Sequence, residues 1–230
     1  MKIGVLGTGV AGQAMAGKLV QLGHDVMMGA RAADNEKVLA FAQRTGGRAG
    51  TFAAAAGHGE MIVNCTRGES SLATLSALTS ELRGRILLDL ANPLDFSAGY
   101  PPHLSVSNTD SLGEQIQRAL PETLVVKSLN TVTAAVMIEP ARVPGRHSIF
   151  VSGNDLVDWR LQEYLEILQP AGQRPTGWRR AGRYDGVGVP EVFFAPSAVA
   201  GPYSKRGNFH TLRDLPHSGY RNAGTATIGI

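Results

Sequence analysis

The chain has 230 residues, 43% of them hydrophobic, and a formal net charge of +3. That is material for one sizeable core. So small a charge, with no basic cluster interleaved with aromatics, speaks against a nucleic-acid partner. Cys65 is the single cysteine, which excludes an intramolecular disulfide and fits a reducing cytoplasm. No apolar run reaches the roughly 18 residues of a membrane span, and the glycine-broken N-terminus does not read as a secretory leader.

The averages conceal two kinds of sequence. Residues 1–169 carry 14 Lys+Arg against 16 Asp+Glu, whereas residues 170–230 carry 8 against 3. The later segment also holds 6 of the 12 prolines and 10 of the 28 glycines. The division implies a folded body over 1–169 and an irregular or disordered Pro/Gly/Arg-rich tail over 170–230.

In chain order, Lys2–Leu6 (KIGVL) reads as a buried strand and Val10–Leu22 as a helix, ended by Gly23. Val26–Met28 is a second strand, and Asn35–Thr45 an amphipathic helix stopped by Gly46-Gly47. Met61–Asn64 is a strand, Ser71–Leu82 a helix, and Ile86–Asp89 a strand closed by the Asn92-Pro93 turn. Asp110 or Ser111 caps a helix through Leu120, followed by a strand at Leu124–Lys127. A strand at Ser148–Ser152 and a helix at Asp155–Leu168 complete the body. Strands alternating with helices imply an α/β fold with a doubly wound, mostly parallel sheet and right-handed crossovers. On such sheets ligands bind beyond the carboxyl ends of the strands, so the residues just after each strand matter most.

After the first strand comes Gly7-Thr8-Gly9-Val10-Ala11-Gly12, a G-x-G-x-x-G between strand and helix. The first glycine allows the turn, the second lets a pyrophosphate approach, and the third lets the helix pack closely. The helix N-terminus then offers N–H groups and a positive dipole end. This context points to a Rossmann-type dinucleotide site. The second strand ends in Met28-Gly29-Ala30-Arg31. No acid is placed there for a ribose 2′-hydroxyl, while the Arg31 guanidinium suits a 2′-phosphate, so NADP(H) is expected, with Lys37 adding charge.

Asn64, Cys65 and Thr66 follow the strand expected to pass near the nicotinamide ribose, with Cys65 read as a packed residue rather than a nucleophile. Asn92, beside Pro93, either bonds the cofactor or starts the turn, and Asp89 at its strand end needs local partners. Lys127 and Asn130, three apart after a later strand, are candidate catalytic groups: a lysine there could serve as general acid in carbonyl or imine reduction, or only hold an anion. The six histidines are scattered, and no metal set or serine elbow is seen.

Taken together, MKIGVLGTG, MMGAR, LLDLANPLDF, SLGEQIQRALPETLVVKSLNTV and FVSGND resemble the NADPH-dependent coenzyme F420 reductases over residues 1–155. The resemblance implies a homodimer that moves hydride between NADP(H) and the deazaflavin F420. It places Thr8 to Ala11 on the pyrophosphate and Arg31 on the 2′-phosphate. Ala30 stands where the family usually has Ser or Thr. Asn130, Thr131 and Ala134, in the loop 130–134, would face the nicotinamide and the deazaflavin. Direct hydride transfer needs alignment more than acid or base, which agrees with the lack of a convincing dyad. Two other readings stay open: an NADPH-dependent reductase of a small imine or ketone, and a non-catalytic NADP(H)-binding sensor. The tail departs from the family, as a frame-shifted foreign segment or as a lid in which Trp178, Tyr184, Phe193 and Phe194 pack on the body.

Overall fold

The computed structural model describes residues 1–143 and three short strands at 151–153, 179–181 and 192–194. The chain runs β1 (Lys2–Leu6), α1 (Val10–Gln21), β2 (Asp25–Ala30), α2 (Glu36–Thr45), β3 (Arg48–Thr51), α3 (Phe52–His58) and β4 (Met61–Asn64). It continues with α4 (Gly68–Ser76), α5 (Thr79–Leu82), β5 (Ile86–Asp89), a small hairpin β6 (Leu94–Asp95) and β7 (His103–Leu104), α6 (Leu112–Ala119), β8 (Leu124–Ser128), α7 (Ala134–Ile138) and β9 (Val151–Gly153). A single antiparallel pairing joins β10 (Arg179–Ala181) to β11 (Val192–Phe194).

The main sheet has the order β3-β2-β1-β4-β5-β8-β9. The first six strands are parallel, and β9 pairs antiparallel to β8. Counting only the parallel strands, this is the 3-2-1-4-5-6 order of a Rossmann fold, with its reversal between β1 and β4.

The apolar runs follow from burial on both faces. Ile3, Val5, Met61, Val63, Ile86 and Leu88 pack on one face with Met15, Ala16 and Leu19 of α1, Val38 and Phe41 of α2, and Met137 of α7. Leu6, Ile62, Leu87 and Val125 pack on the other with Ala55 and Ala56 of α3, Leu75, Leu82, and Leu112 and Ile116 of α6. Each large apolar side chain among them contributes about 1.5–3 kcal/mol relative to exposure, and the central strands β4 and β5 are buried at every position. Three helices, α2, α3 and α6, have side-chain caps: Asn35 accepts from the Lys37 amide, Thr51 from Ala54 and Ser111 from Glu114.

Three features differ from the sequence reading. The helix expected over 71–82 is two pieces, α4 and α5, separated at Ala77–Leu78. The β3–α3 unit was not expected, because RAGTFAAAAGH lacks both periodicities. Its register comes from glycines instead: a Cβ on Gly4 would collide with the Ala55 carbonyl, and one on Gly29 would lie 2.9 Å from the Ala55 Cβ. The third is the β6–β7 hairpin, also unanticipated, which follows the Asn92-Pro93 turn and is held by the Ser105 amide donating to the Pro93 carbonyl at 2.8 Å. The expected strand at 148–152 is seen from Val151 onward. The helix expected over 155–168 lies outside the described residues, and so do the side chains of Trp178, Tyr184, Phe193 and Phe194.

Candidate functional site

The carboxyl ends of β1, β2, β4, β5 and β8 bring five loops to one edge of the sheet, where sequence reasoning put the ligand. The three motif glycines have three different environments. Gly7 has φ +116, and its Cα faces the Cys65 carbonyl, which a Cβ would strike. A Cβ on Gly12 would collide with the Gly7 carbonyl, so α1 sits directly on the turn. A Cβ on Gly9 would meet nothing within 4 Å. Of the three motif glycines, space is therefore left at Gly9 alone. Gly9 is also the N-cap of α1, no side chain caps that end, and the first turn has no acid. Its dipole end is unopposed. Thr8 and Ala11 are half-buried around it, and Val10 is exposed.

The Gly7 amide donates to the Gly29 carbonyl at 3.1 Å, tying this turn to the end of β2. There Ala30 is buried, while Arg31 and Lys37 are exposed. None of the ion pairs among the described residues engages Arg31. Gln13, just inside α1, donates to the Lys37 carbonyl at 3.2 Å and accepts from Arg44 at 2.8 Å. It links α1 to both the first and the last turn of α2.

At the ends of β4, β5 and β8 lies a buried polar network. Asn64, Ser71 and Asp89 are all fully buried. The Asn64 Nδ2 donates to Ser71 Oγ at 2.6 Å and to Asp89 Oδ1 at 2.7 Å. Its Oδ1 accepts from the Thr66 hydroxyl at 2.7 Å and the Thr66 amide at 3.2 Å. Thr66 spends its one proton there, so the 3.0 Å contact between the two hydroxyls is filled by the Ser71 proton. Asp89 Oδ1 also accepts from the Ala91 amide at 3.1 Å, and Oδ2 from Lys127 Nζ at 2.7 Å. Lys127 donates further to the Ala91 carbonyl. A buried carboxylate is thus fully partnered, by side chains as well as the local amide foreseen. Asn64, grouped with the cofactor-binding residues from sequence, has its side chain engaged entirely by protein.

Cys65 is half-buried, and its thiol is pushed up to about 12, by burial first and by the Asp89 carboxylate second. It stays protonated at neutral pH, in keeping with a packing role.

Asn92 and Asn130 face each other across the loops after β5 and β8. Asn92 Nδ2 donates to the Asn130 carbonyl at 2.7 Å, and Asn130 Nδ2 returns a bond to Asn92 Oδ1 at 3.1 Å. Pro93 is buried, and Thr131 and Ala134 are half-buried. Leu129, just before Asn130, has φ 62. A bulky residue there stores about 1–3 kcal/mol of strain and persists only where the surroundings dictate it. Two participants were missed from sequence. Ser71 was read only as a helix start. Gly68 was passed over, although a Cβ on it would collide with the Asn92 carbonyl, so the loops after β4 and β5 touch backbone to backbone. The signal for Gly68 was its place one residue after a strand-end loop, Cys65-Thr66-Arg67. Among the described residues there is no metal-ligating cluster and no helix long and apolar enough to cross a membrane.

Residues 2–93 match the family model described as NADP oxidoreductase, coenzyme F420-dependent. An F420-dependent NADP reductase of Methanothermobacter marburgensis is 29% identical in an alignment of 150 positions that covers 60% of this chain and 67% of that protein. Another, of Methanocaldococcus jannaschii, is 32% identical over 44% of this chain and 45% of its own length. A crystal structure of a candidate F420-dependent NADP reductase from Arthrobacter sp. FB24 is 46% identical, with a TM-score of 0.68, over 74% of this chain and 82% of that one. On these matches, and on the strand order and glycine turn that accompany them, this chain belongs to the coenzyme F420-dependent NADP oxidoreductase family.

Proposed function

We propose that this chain is an oxidoreductase that passes hydride between NADP(H) and coenzyme F420. The observation that carries the reading is the contrast among the motif glycines: two are filled by protein, and Gly9 faces open space at an uncapped helix N-terminus. That geometry fits a pyrophosphate held by Gly7, Thr8, Gly9, Val10, Ala11 and Gly12, with main-chain N–H groups as donors. Arg31, exposed at the end of β2, fits a 2′-phosphate as a two-pronged donor, and Lys37 adds charge beside it.

When bound, NADP(H) supplies or takes back a hydride at nicotinamide C4, and the deazaflavin C5 is the matching position. The protein's share of the chemistry is alignment and exclusion of water. Cys65, Thr66, Asn92, Pro93, Asn130, Thr131 and Ala134 would form the wall along the nicotinamide end, with Asn64 bracing it from beneath. Lys127 is less suited to proton donation than its sequence position suggested, because its ammonium already serves Asp89 and the Ala91 carbonyl. This favours hydride transfer to a deazaflavin over reduction of an imine or ketone, where a proton donor is needed.

The test is to mix the protein with NADPH and oxidised F420 and follow loss of the deazaflavin's visible absorbance, with NADH and an Arg31→Ala variant in parallel. Bleaching with NADPH, slower with NADH and slower in the variant, is expected. Tight NADPH binding without bleaching would overturn the hydride-transfer reading and favour a sensor.

A further inference from the structure

The nicotinamide end of the site is built from three loops that share no backbone ladder beyond their strands. Three kinds of contact hold them together. Gly68 abuts the Asn92 main chain. The Asn92 side chain donates to the Asn130 carbonyl at 2.7 Å and accepts from the Asn130 side chain at 3.1 Å. Beneath both, Lys127 of β8 reaches across to Asp89 of β5 and to the carbonyl of Ala91, one residue before Asn92. Asp89 in turn holds Asn64 at 2.7 Å, and Asn64 receives the Thr66 amide of the loop after β4.

We propose that Lys127 is a positioning residue: by gripping Asp89 and the Ala91 carbonyl together it locks the loops after β4, β5 and β8 into one surface for the nicotinamide ring. Each partner of the ammonium lies within three residues of the Asn92–Asn130 pair. The left-handed Leu129 lies between Lys127 and Asn130, and its strain is sustained only by fixed points on both sides. Lys127 is partly exposed whereas Asp89 is fully buried. The carboxylate therefore depends on the lysine for compensation more than the lysine depends on it. The arrangement acts on the ring end alone, since no bond in this network reaches the Gly7–Gly12 turn or Arg31.

The inference rests on the nucleotide reading given above, and its test separates the two. Affinities for NADPH and for 2′,5′-ADP, which lacks the nicotinamide half, are measured in the wild type, in Lys127→Met, and in the double variant Asp89→Asn/Lys127→Met. The double variant removes the buried charge that the single one strands, and it carries the test if Lys127→Met does not fold. The expected result is that 2′,5′-ADP binds as in the wild type while the ratio of NADPH to 2′,5′-ADP affinity drops by about tenfold. The fluorescence of bound NADPH, which reports on the reduced ring, should move toward that of the free nucleotide. An unchanged ratio in the double variant, whether both affinities hold or both fall equally, overturns the positioning role. A wild type that binds neither ligand would instead overturn the nucleotide reading itself.

Discussion

The two ends of this site are made by different means. At the end proposed for the phosphates, the elements are main-chain ones, three glycines and an uncapped helix, with one exposed arginine beside them. At the end proposed for the nicotinamide ring, side chains grip one another across three strands. A main-chain site is tolerant of what its side chains are and intolerant of any Cβ in the wrong place. A side-chain site is the reverse, because every donor must find its acceptor.

Substitution at the glycines should break the comparison most sharply. Gly12→Val places branched carbon against the Gly7 carbonyl, so α1 must move. Loss of the thermal transition or of soluble protein is expected, read by calorimetry. Gly9→Val adds carbon into open space, so the melting temperature should hold while NADPH affinity falls by about 100-fold or more, read by titration. A Gly9 variant that binds normally would remove the pyrophosphate from that turn.

The ring end should respond to polar substitutions instead. Asn64→Leu leaves Ser71 and Asp89 short of a donor in a fully buried place. Denaturant titration should show a loss of about 2–4 kcal/mol. Asn92→Ala removes only a half-buried pair, worth about 1 kcal/mol, and it should reduce turnover more than stability.

A smaller effect sharpens the contrast at β2. Arg31→Ala should raise the KM for NADPH by about 10- to 100-fold and leave that for NADH nearly unchanged. Steady-state kinetics with both nucleotides decides it.

Smallest is the response to pH at Cys65. Its thiol is raised from 9.0 to about 12 in the folded chain. The protonated form is therefore favoured by folding, so this contribution is complete below pH 9 and fades as pH rises toward 12. Iodoacetamide at pH 8 should label the unfolded chain quickly and the native chain slowly.

Much of this was legible in the sequence, and the division follows the same line. The glycine turn and the strands β1, β4, β5 and β8 are local: spacing, β-branching and a strand-to-helix junction declare them. The β3–α3 unit was not legible, because RAGTFAAAAGH owes its place to the close approach of Ala55 to Gly4 and Gly29, which are distant in sequence. Asp89, Asn64 and Lys127 each stood out singly as polar residues at strand ends. Their partnership was not visible, since the 38 residues from Asp89 to Lys127 are closed only when β5 lies beside β8. Asn92 and Asn130 are equally far apart, and their pairing depends on the same strand neighbourhood.

The three groups Asn64, Ser71 and Thr66 form a closed circuit of donors and acceptors: amide to serine, serine to threonine, threonine back to the amide oxygen. Such a circuit can run in either sense when only hydroxyls compose it. Here the sense is fixed, because the second Asn64 proton points at the Asp89 carboxylate and the amide cannot turn over without aiming its oxygen at a negative charge. One buried charge, together with the Thr66 main-chain amide on the Asn64 oxygen, thus sets the direction of three protons it does not itself carry. With Asp89 replaced by asparagine the amide would be released from that charge, and the Thr66 main-chain amide, which donates to the Asn64 oxygen at 3.2 Å, would be left to hold the sense of the circuit.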